Sequence, residues 1–496
     1  MKKIFLLLLS GMLLVAGLFL FESRSKFLKV FKFTVKEIPP SFPAYHPTSK
    51  NSNPFQSQKT PHGAYIVVSA GTTDDGKGKI CDFLAQQAQF AVRSQGSVPD
   101  GHTVKKDGKT YVLHHIPVGI LTPHVKCYLA PGMVIDLKGL FNEIEGLQKQ
   151  DIVMEDRLKI STAAHMQMPY HSVLDTLGRK AKRRHSAAGV RKGVSAAASD
   201  KRLGIGLRIA DLWSKDFPEM LKERLKIAND IITKIYKHKP LYYDPILEDF
   251  MEYRDKLEPY VRDRVELKLN QLLKQGQRGI FEGAHGTFLD ITHGIYPYTS
   301  PTESTAAAIA AAAGVGPTKI THTLGVVKSY ATCEGDGPFT TEIKDPATLQ
   351  RFRDKNKDTS GADRYRYGWI DAVMVRQAMF INGMNSIAIS RLDDLDGFEK
   401  IKVCIDYDYK ENPEDVDVQH FDYPPPRLRQ LKKVTPHYIE FDGWKESTKD
   451  ATHLSQLPVN ARVFVKRLEA LFNVPVSIVS VGPRQDQTIV VNDFFK

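Results

Sequence analysis

The chain has 496 residues, of which 42% are apolar and 25% are charged, as expected of a globular enzyme with two or three subdomains around a large core. The formal net charge is +12, but residues 1–63 contain nine Lys and Arg against two Asp and Glu and carry +7 of it. The remaining charge of about +5 is ordinary for a soluble enzyme that binds anions, and it excludes an extended nucleic-acid-binding surface. The four cysteines are not spaced as metal ligands, and the simpler interpretation is that they are free thiols in a reduced compartment. The alternative is that they form two disulfides.

The chain begins with a targeting or anchoring segment. After Lys2 and Lys3, residues 4–21 form an uncharged run of eighteen residues, near the lower limit of about 17–25 apolar residues for a spanning helix. The run is also longer than the core of a signal peptide, about 7–15 residues, and no small-residue cleavage site follows it. Basic residues crowd its downstream side, which favours a protein body that faces the cytoplasm. We therefore expect residues 1–37 to be an uncleaved anchor, with a cleaved signal peptide and export as the alternative.

The body of the protein follows a linker. Residues 38–63 are rich in Pro, Ser, Asn and Gln, with little apolar periodicity. Over residues 64–496, strand-like runs alternate with helical runs, which predicts an α/β fold: a P-loop-like nucleotide-binding core with a largely parallel central sheet and helical or loop subdomains. The strand-like runs are 65–69, 111–115, 386–390 and 476–481, and the helical runs are 217–236, 246–275 and 462–472.

A glycine-rich turn follows the first of these strands. Residues 71–77 read Gly-Thr-Thr-Asp-Asp-Gly-Lys and have the spacing of a P-loop, although Gly78 stands where that motif has the Ser or Thr that binds magnesium. Helical periodicity follows from Ile80, and backbone amides at such a strand-to-helix turn bind phosphates. The loop also contains two acidic residues, Asp74 and Asp75. Carboxylates are unfavourable beside a polyphosphate unless a metal ion neutralises the charge or one of them takes part in proton transfer. The loop therefore predicts nucleotide binding, magnesium and acid–base catalysis.

Two segments of biased composition have ordinary interpretations. Residues 179–208 are basic and rich in small side chains, which predicts a solvated surface loop, with a flexible anion-binding loop as the alternative. Residues 306–313 are almost entirely alanine and predict a core helix, because alanine is a strong helix former and its small side chain permits close packing.

Further glycine-rich pieces follow in a definite order along the chain. Taken singly, each is compatible with a turn. Taken together, they resemble the adenylosuccinate synthetase family, whose loop Gly-Asp-Glu-Gly-Lys-Gly-Lys corresponds to Thr-Asp-Asp-Gly-Lys-Gly-Lys at residues 73–79. Two more motifs of that family match Gly443-Trp-Lys-Glu-Ser-Thr and Asn473-Val-Pro. The resemblance covers about residues 64–496 and leaves the anchor and the linker outside it.

The resemblance implies a GTP-dependent ligase of AMP biosynthesis that joins IMP to L-aspartate and gives adenylosuccinate, GDP and phosphate. In this chemistry the γ-phosphoryl group first moves to the purine 6-oxygen, which gives a 6-phosphoryl intermediate, and the aspartate amine then displaces phosphate. The reaction needs a base for the purine ring proton, a hydrogen-bond donor at the transferring phosphoryl group, and Mg²⁺ to spread the charge.

The resemblance also implies roles for individual residues of the GTP site. Asp74 corresponds to the family's base and metal ligand, and His102, within Asp-Gly-His-Thr, corresponds to its catalytic histidine. Gly101 would lend a carbonyl oxygen to Mg²⁺. Asp393 would accept hydrogen bonds from the guanine edge, and Arg391 would replace a lysine that stacks on the base. The implied GTP site comprises Thr73, Asp75, Gly76, Lys77, Gly78, Lys79, Gly101, Thr103, Arg391, Leu392, Asp393, Ser480, Val481 and Gly482.

The chain departs from the family chiefly in the other two substrate sites. The family's glutamine near the purine 6-oxygen is His285, its phosphate-binding Thr-Thr pair aligns with Gly189 and Val190, and its asparagine before Gly-His-Thr is lost at Pro99. The arginine that reaches the IMP phosphate across the dimer aligns with Gly204. The implied purine-monophosphate site is Asp74, Lys77, His102, His285 and Thr305, and the aspartate site is Arg364 and Arg366, which fit the family's arginines after a shift of one residue.

These departures leave three hypotheses. Losing one charged phosphate contact costs about 2 kcal/mol, so IMP affinity should fall unless Arg191, Lys192 or Lys201 substitutes. We expect a working synthetase for IMP, and the same chemistry on a 2-aminopurine type of monophosphate is the first alternative. The second is a membrane-tethered GTP-binding homologue without synthetase activity. The resemblance further implies a homodimer, and because GTP and purine monophosphates are cytoplasmic metabolites, we expect residues 64–496 to lie in the cytoplasm.

Overall fold

The computed structural model describes residues 63–73, 75–96, 101–181, 193–356, 365–412 and 414–492. The anchor and almost all of the linker fall outside these ranges. So do several residues that the sequence analysis singles out: Asp74, Pro99, Gly189, Val190, Arg191, Lys192 and Arg364.

The strands of the described residues, in chain order, are β1 (Ala64–Ser69), β2 (Phe90–Arg93), β3 (His102–Lys106), β4 (Lys109–Leu113), β5 (Lys126–Leu129), β6 (Val134–Ile135), β7 (Leu158–Ser161), β8 (His165–Met166), β9 (Val261–Arg262), β10 (Gly279–Gly286), β11 (Ile320–Lys328), β12 (Ala331–Glu334), β13 (Tyr365–Gly368), β14 (Ile370–Asp371), β15 (Ser386–Ser390), β16 (Lys400–Tyr409), β17 (Gln419–Phe421), β18 (Thr435–Asp442), β19 (Val476–Ser480) and β20 (Thr488–Val490). Their α-helices are α1 (Lys77–Ala85), α2 (Leu137–Gln148), α3 (Pro169–Lys180), α4 (Val194–Leu203), α5 (Phe217–Asp230), α6 (Tyr243–Leu257), α7 (Val265–Lys274), α8 (Ala306–Ala312), α9 (Pro346–Asn356), α10 (Ala372–Asn382), α11 (Leu428–Leu431) and α12 (Val459–Phe472).

Ten strands form one central sheet in the order β20-β19-β15-β11-β1-β10-β2-β5-β7-β9. Every neighbouring pair is parallel except β19 with β20. All six residues of β1 are buried, as expected of a parallel strand covered on both faces. Ile66 and Val68 pack against one core that includes residues of α8, α10 and α12, whereas Tyr65 and Val67 pack against a second core that includes residues of α1 and α2. The predicted α/β fold with a largely parallel sheet is confirmed.

Smaller sheets extend from this frame. Strands β3 and β4 form an antiparallel hairpin, in which His102 lies opposite Leu113. Strands β12 and β13 form a second antiparallel pair, and β14, β16, β17 and β18 form a separate sheet. The predicted strand at 111–115 is therefore real, but it belongs to the hairpin rather than to the central sheet.

Two predictions about local structure are wrong, one for a helix and one for a surface loop. The run 246–275 is not one helix, since α6 ends at Leu257 and α7 begins only at Val265. Pro259 stops the first helix because it has no backbone N–H to donate and its ring clashes with the preceding turn. Residues 179–208 are not one surface loop, since α3 continues to Lys180 and α4 occupies Val194–Leu203. The alanine-rich segment and the strand at Ser386–Ser390 are confirmed.

The structure also bears on the cysteines and on membrane insertion. Cys81, Cys127, Cys333 and Cys404 are buried free thiols. Among the residues that the structure describes, we find no helix with the length and apolar character needed to span a bilayer. The expected anchor at residues 4–21 lies outside those residues.

The central strand β1 gives a test of the fold. Replacing Ile66, which is fully buried, by alanine should lower the free energy of unfolding by about 2–5 kcal/mol, because it leaves a cavity in the core. The matched control is Val112→Ala, since Val112 is 50% exposed and should change stability by less than about 0.5 kcal/mol. Denaturant unfolding of both variants checks this, and equal effects at the two positions would contradict the described packing of β1.

Candidate active site

The candidate residues collect at one edge of the central sheet. In a parallel sheet the carboxyl ends of neighbouring strands lie side by side, and ligands bind in the crevice beyond them. The P-loop follows β1, Arg391 follows β15, Val481 follows β19, and His285 lies at the end of β10. The fold thus brings together loops that are far apart in the sequence.

The P-loop is held by hydrogen bonds within itself and by a contact with strand β12. The hydroxyl of Ser69 donates its one hydrogen bond to the carboxylate of Asp75, and its oxygen lies 3.1 Å from the carbonyl oxygen of Thr73. The hydroxyl oxygens of Thr73 and Thr332 lie 2.7 Å apart. Gly76 has φ +90°, a left-handed conformation that favours glycine, and helix α1 begins at the next residue. The carboxylate of Asp75 therefore stabilises the loop by a hydrogen bond within it.

The glycine after the P-loop lysine has a structural reason. A Cβ atom on Gly78 would lie 2.9 Å from the Cβ of His102, closer than side chains pack. The absence of a side chain lets helix α1 lie directly against β3, which carries His102. Strand β3 thus lies where the magnesium-binding hydroxyl of a P-loop would project.

His102 has a carboxylate partner that the sequence analysis missed. Its Nδ1 lies 3.3 Å from Oε2 of Glu282, and both side chains are almost fully buried. The other carboxylate oxygen, Oε1, is buried without a hydrogen-bond partner among the described residues. A carboxylate on Nδ1 orients the imidazole and favours a proton there, which leaves Nε2 for another group. The sequence signal was a charged residue inside the apolar strand β10.

Lys77 lies at the centre of the site. Its side chain is fully buried, and its Nζ donates to the carbonyl oxygen of His285 at 2.9 Å. His285 has φ +56°, so the chain turns at the end of β10 and presents this carbonyl to the lysine. The structure therefore joins two residues that were assigned to the purine-monophosphate site.

Lys79 connects α1 to the loop that follows β19. Its Nζ donates to Ser480 Oγ at 2.6 Å, to the carbonyl oxygen of Gly482 at 2.6 Å and to that of Gln487 at 2.7 Å. These three acceptors use all three N–H donors of an ammonium group. Burial lowers the pKa of Lys79 to about 7, while the carboxylates of Asp393 and Asp486 raise it.

The loop after β15 contains two adjacent buried carboxylates with different surroundings. Asp394 accepts hydrogen bonds from Tyr330 at 2.8 Å and from Arg391 at 3.2 Å. Asp393 receives no side-chain hydrogen bond from the described residues, and burial followed by the charge of Asp394 raises its pKa to about 6. The hydroxyl of Ser390 donates to the carbonyl oxygen of Asp75 at 2.6 Å and joins this loop to the P-loop. Asp393 is thus left available for a ligand.

The remaining predicted residues lie around this centre. Thr305 is buried and precedes α8, whereas the side chain of Thr103 is exposed on β3. Arg366 is engaged within the protein, since its guanidinium donates to the carbonyl oxygen of Gly337 at 2.5 Å and lies 3.4 Å from Glu342. An aspartate substrate would have to compete with Glu342 for this side chain.

Comparison with known proteins identifies the family. The sequence model of adenylosuccinate synthetase matches residues 66–489. The chain belongs to the adenylosuccinate synthetase family. It is 42% identical over 434 residues to the adenylosuccinate synthetase of Caldanaerobacter subterraneus, an alignment that covers 86% of this chain and 99% of that protein. It is 40% identical over 435 residues to the enzyme of Clostridium kluyveri, with 87% and 99% covered.

Solved structures agree with this membership. A fully ligated adenylosuccinate synthetase from Plasmodium falciparum superposes with a TM-score of 0.79 at 28% identity, covering 86% of this chain and 99% of that one. A succinoaminodeoxyadenylate synthetase of cyanophage S-2L, at 17% identity and a TM-score of 0.50 with 87% and 96% covered, is similar in fold alone. The recognition of the family from its motifs is confirmed.

The contact between Glu282 and His102 predicts a kinetic effect. Replacing Glu282 by Gln should lower kcat by about tenfold or more, because the imidazole loses the carboxylate that orients it, while KM for GTP changes by less than about threefold. Glu282→Asp should recover part of the activity because it restores the charge. Steady-state kinetics with a melting curve of each variant checks this. A Glu282→Gln enzyme with normal kcat would remove Glu282 from the account.

The raised pKa of Asp393 predicts a pH effect on GTP binding. A carboxylate accepts the guanine N–H donors only when it is ionised, and with a pKa of about 6 roughly a tenth of it is ionised at pH 5. The GTP affinity of the wild type, divided by that of Asp393→Asn, should therefore fall several-fold from pH 7.5 to pH 5. The ratio cancels the titration of the GTP phosphates. A ratio that does not change with pH would exclude Asp393 from base recognition.

Proposed function

We propose that the protein joins IMP to L-aspartate with hydrolysis of GTP and gives adenylosuccinate, GDP and phosphate. Membership of the adenylosuccinate synthetase family supports this reaction. So do relatives of about 40% identity, whose alignments with this chain cover 99% of the relatives' own length. The observation in the structure that supports it is the close approach of Gly78 to His102, which brings this histidine against the helix that begins at the P-loop. GTP phosphates and a proton donor thus belong to one site.

The residues of the site divide the tasks of this reaction among them. Asp74 takes the purine ring proton, so that the 6-oxygen gains the electron density it needs to attack the γ-phosphorus. His102, oriented by Glu282, donates a hydrogen bond from Nε2 to the transferring phosphoryl group. Lys77 supplies positive charge beside the phosphates. The aspartate amine then attacks carbon 6, and phosphate leaves with the former 6-oxygen.

Mg²⁺ is the expected metal, and the oxygen donors of the site fit it. Among the described residues no group of three or more His, Cys, Asp and Glu side chains is arranged to hold a metal ion. Mg²⁺ is commonly held by one or two carboxylates together with substrate phosphates and waters, so it does not need such a group. The carboxylate of Asp74 and the carbonyl oxygen of Gly101 would hold it, and the ion would neutralise charge on the phosphates.

The alternatives from the sequence analysis are not favoured. A synthetase for a 2-aminopurine monophosphate has support only from a fold likeness at 17% identity. A homologue without activity fits poorly with the burial of Lys77, Lys79, His102 and Asp393, because burying charged side chains is costly without a function for them. The decisive assay uses the purified body of the protein with GTP, Mg²⁺, aspartate and a panel of purine monophosphates. IMP should be the preferred substrate, and turnover of another monophosphate instead would revise the assignment.

The location and the assembly of the protein belong to the same proposal. Residues 4–21 tether the protein to a membrane, with residues 64–496 in the cytoplasm, because the basic flank resists translocation and GTP is available there. The protein forms a homodimer, as its family does. Fractionation with protease protection tests the location. A shortened, soluble form outside the cytoplasm would show that the segment is a signal peptide.

Asp74 gives the most direct test of the chemistry. Asp74→Asn should bind GTP as the wild type does and lose nearly all turnover, because the amide keeps the shape of the side chain and removes the base. Binding is measured by calorimetry and turnover by product formation. An Asp74→Asn enzyme that keeps a tenth or more of the wild-type rate would exclude Asp74 as the base.

Nucleotide choice gives a second test. The protein should bind GTP more tightly than ATP by at least about 2 kcal/mol, because adenine presents an acceptor where guanine presents a donor and so leaves the buried carboxylate of Asp393 unpaired. Competition between the two nucleotides in the assay measures the difference. Equal affinities would contradict the assignment of Asp393.

A further inference from the structure

An open pocket of about 840 Å³ lies at the carboxyl edge of the central sheet. It is on the other side of β1 and β10 from the loops that follow β15 and β19, which we call the guanine loops because the proposed function assigns the guanine base to them. Its walls include Gln95 after β2, Gly132 after β5 and His165 after β7. Helix α4 and the residues before α8 complete it. A pocket of this size accepts a mononucleotide, and its position is where parallel sheets bind ligands.

The charge of this pocket is mainly positive. We call it the basic pocket, because its cationic residues are Lys201, Arg202 and Arg208. Burial and the charges of Lys201 and Arg208 lower the pKa of His165 to about 4, so this lining residue is neutral. Lys201 donates to the carbonyl oxygen of Gly132 at 2.7 Å, which fixes its amino group at the wall. Burial, then the charges of Arg202 and Arg208, lower the pKa of Lys201 to about 8. The cations thus repel one another, and an anion would relieve that repulsion.

Two carboxylates line the same pocket, and each is engaged. Asp211 accepts a hydrogen bond from the backbone N–H of Arg208 at 2.7 Å. Glu303 accepts through Oε1 from Nη2 of the Arg202 guanidinium and so joins the end of α4 to the segment before Thr305. Arg202 is 69% exposed and Glu303 is 38% exposed, so this pair is weak and a better anion can replace it.

The arrangement bears on a departure from the family. The position of the arginine expected to reach the substrate phosphate across the dimer is Gly204, which follows the last residue of α4. A Cβ atom there would have no heavy atom within 4 Å, so nothing in the described protomer replaces the missing side chain at that position. The nearest arginine in sequence is Arg202, and it faces the pocket of its own protomer.

We infer that in this chain the phosphate group of the purine monophosphate is bound by Arg202 and Lys201 of the same protomer, and that Glu303 takes the place of the phosphate on Arg202 while the site is empty. A phosphate offers more charge and more acceptor oxygens than a carboxylate, so it displaces Glu303 from the guanidinium. Phosphate recognition then needs no residue from a partner subunit. The inference rests on the proposed function for the identity of the substrate.

Direct binding tests the residues of the pocket. Calorimetry with IMP should show at least about tenfold weaker binding to Arg202→Ala, which loses the charged contact, and about threefold tighter binding to Glu303→Gln, which loses the competing carboxylate. Lys222→Ala is the matched control, since Lys222 is an exposed cation paired with Glu219 on α5 and should leave binding unchanged. Binding to Arg202→Ala within twofold of the wild type, or weaker binding to Glu303→Gln, would overturn the inference.

Subunit mixing tests whether recognition stays within one protomer. Asp74→Asn and Arg202→Ala proteins are mixed, left to exchange subunits, and assayed at an IMP concentration near the wild-type KM. The inference predicts that the mixture is no more active than the sum of the two variants assayed separately. The reason is that no active site in the mixture holds both an intact base and its own Arg202. Restored activity, up to about a quarter of the wild-type rate, would show that the partner supplies the arginine. If the wild type binds IMP without turnover, the proposed function fails, and the calorimetry still decides the role of the pocket.

Discussion

A buried amino group on the first turn of α1 holds the guanine side of the site together. Lys79 donates to three acceptors after β19 at 2.6–2.7 Å, and the same helix carries Lys77 and rests against His102 through Gly78. The position of one helix therefore fixes the phosphate loop, the histidine and the base-binding loop together. The cost is the burial of a charge, which these hydrogen bonds and the carboxylates of Asp393 and Asp486 offset.

The sheet order explains why two nucleotides can meet at this helix. The strands that precede the guanine loops, β15 and β19, lie on one side of β1, and the strands that border the basic pocket, β2, β5 and β7, lie on the other. Between them, β1 ends in the P-loop and β10 carries Glu282 and His285. Phosphoryl transfer between two bound nucleotides needs this placement, since the donor and the acceptor must face each other across the catalytic residues.

Much of the fold could be predicted, and candidate residues for the GTP site could be named, because their sequence signals are local. The P-loop, the strand at Ser386–Ser390 and the alanine helix each depend on a few consecutive residues. Contacts between distant segments could not be predicted. Glu282 and His102 are 180 residues apart, and they meet only because the fold places β10 beside the β3–β4 hairpin. The Arg202–Glu303 pair spans 101 residues, and its helix α4 was taken for a loop because of its basic, small-residue composition.

The central claim is that the purine 6-oxygen is phosphorylated before the aspartate amine replaces it. Oxygen-isotope transfer measures this directly. IMP labelled with ¹⁸O at position 6 is converted with GTP, Mg²⁺ and aspartate, and the inorganic phosphate is analysed by mass spectrometry. The account predicts one labelled oxygen in each phosphate released, because that oxygen leaves the purine bound to phosphorus. Unlabelled phosphate, formed with or without adenylosuccinate, would contradict the mechanism.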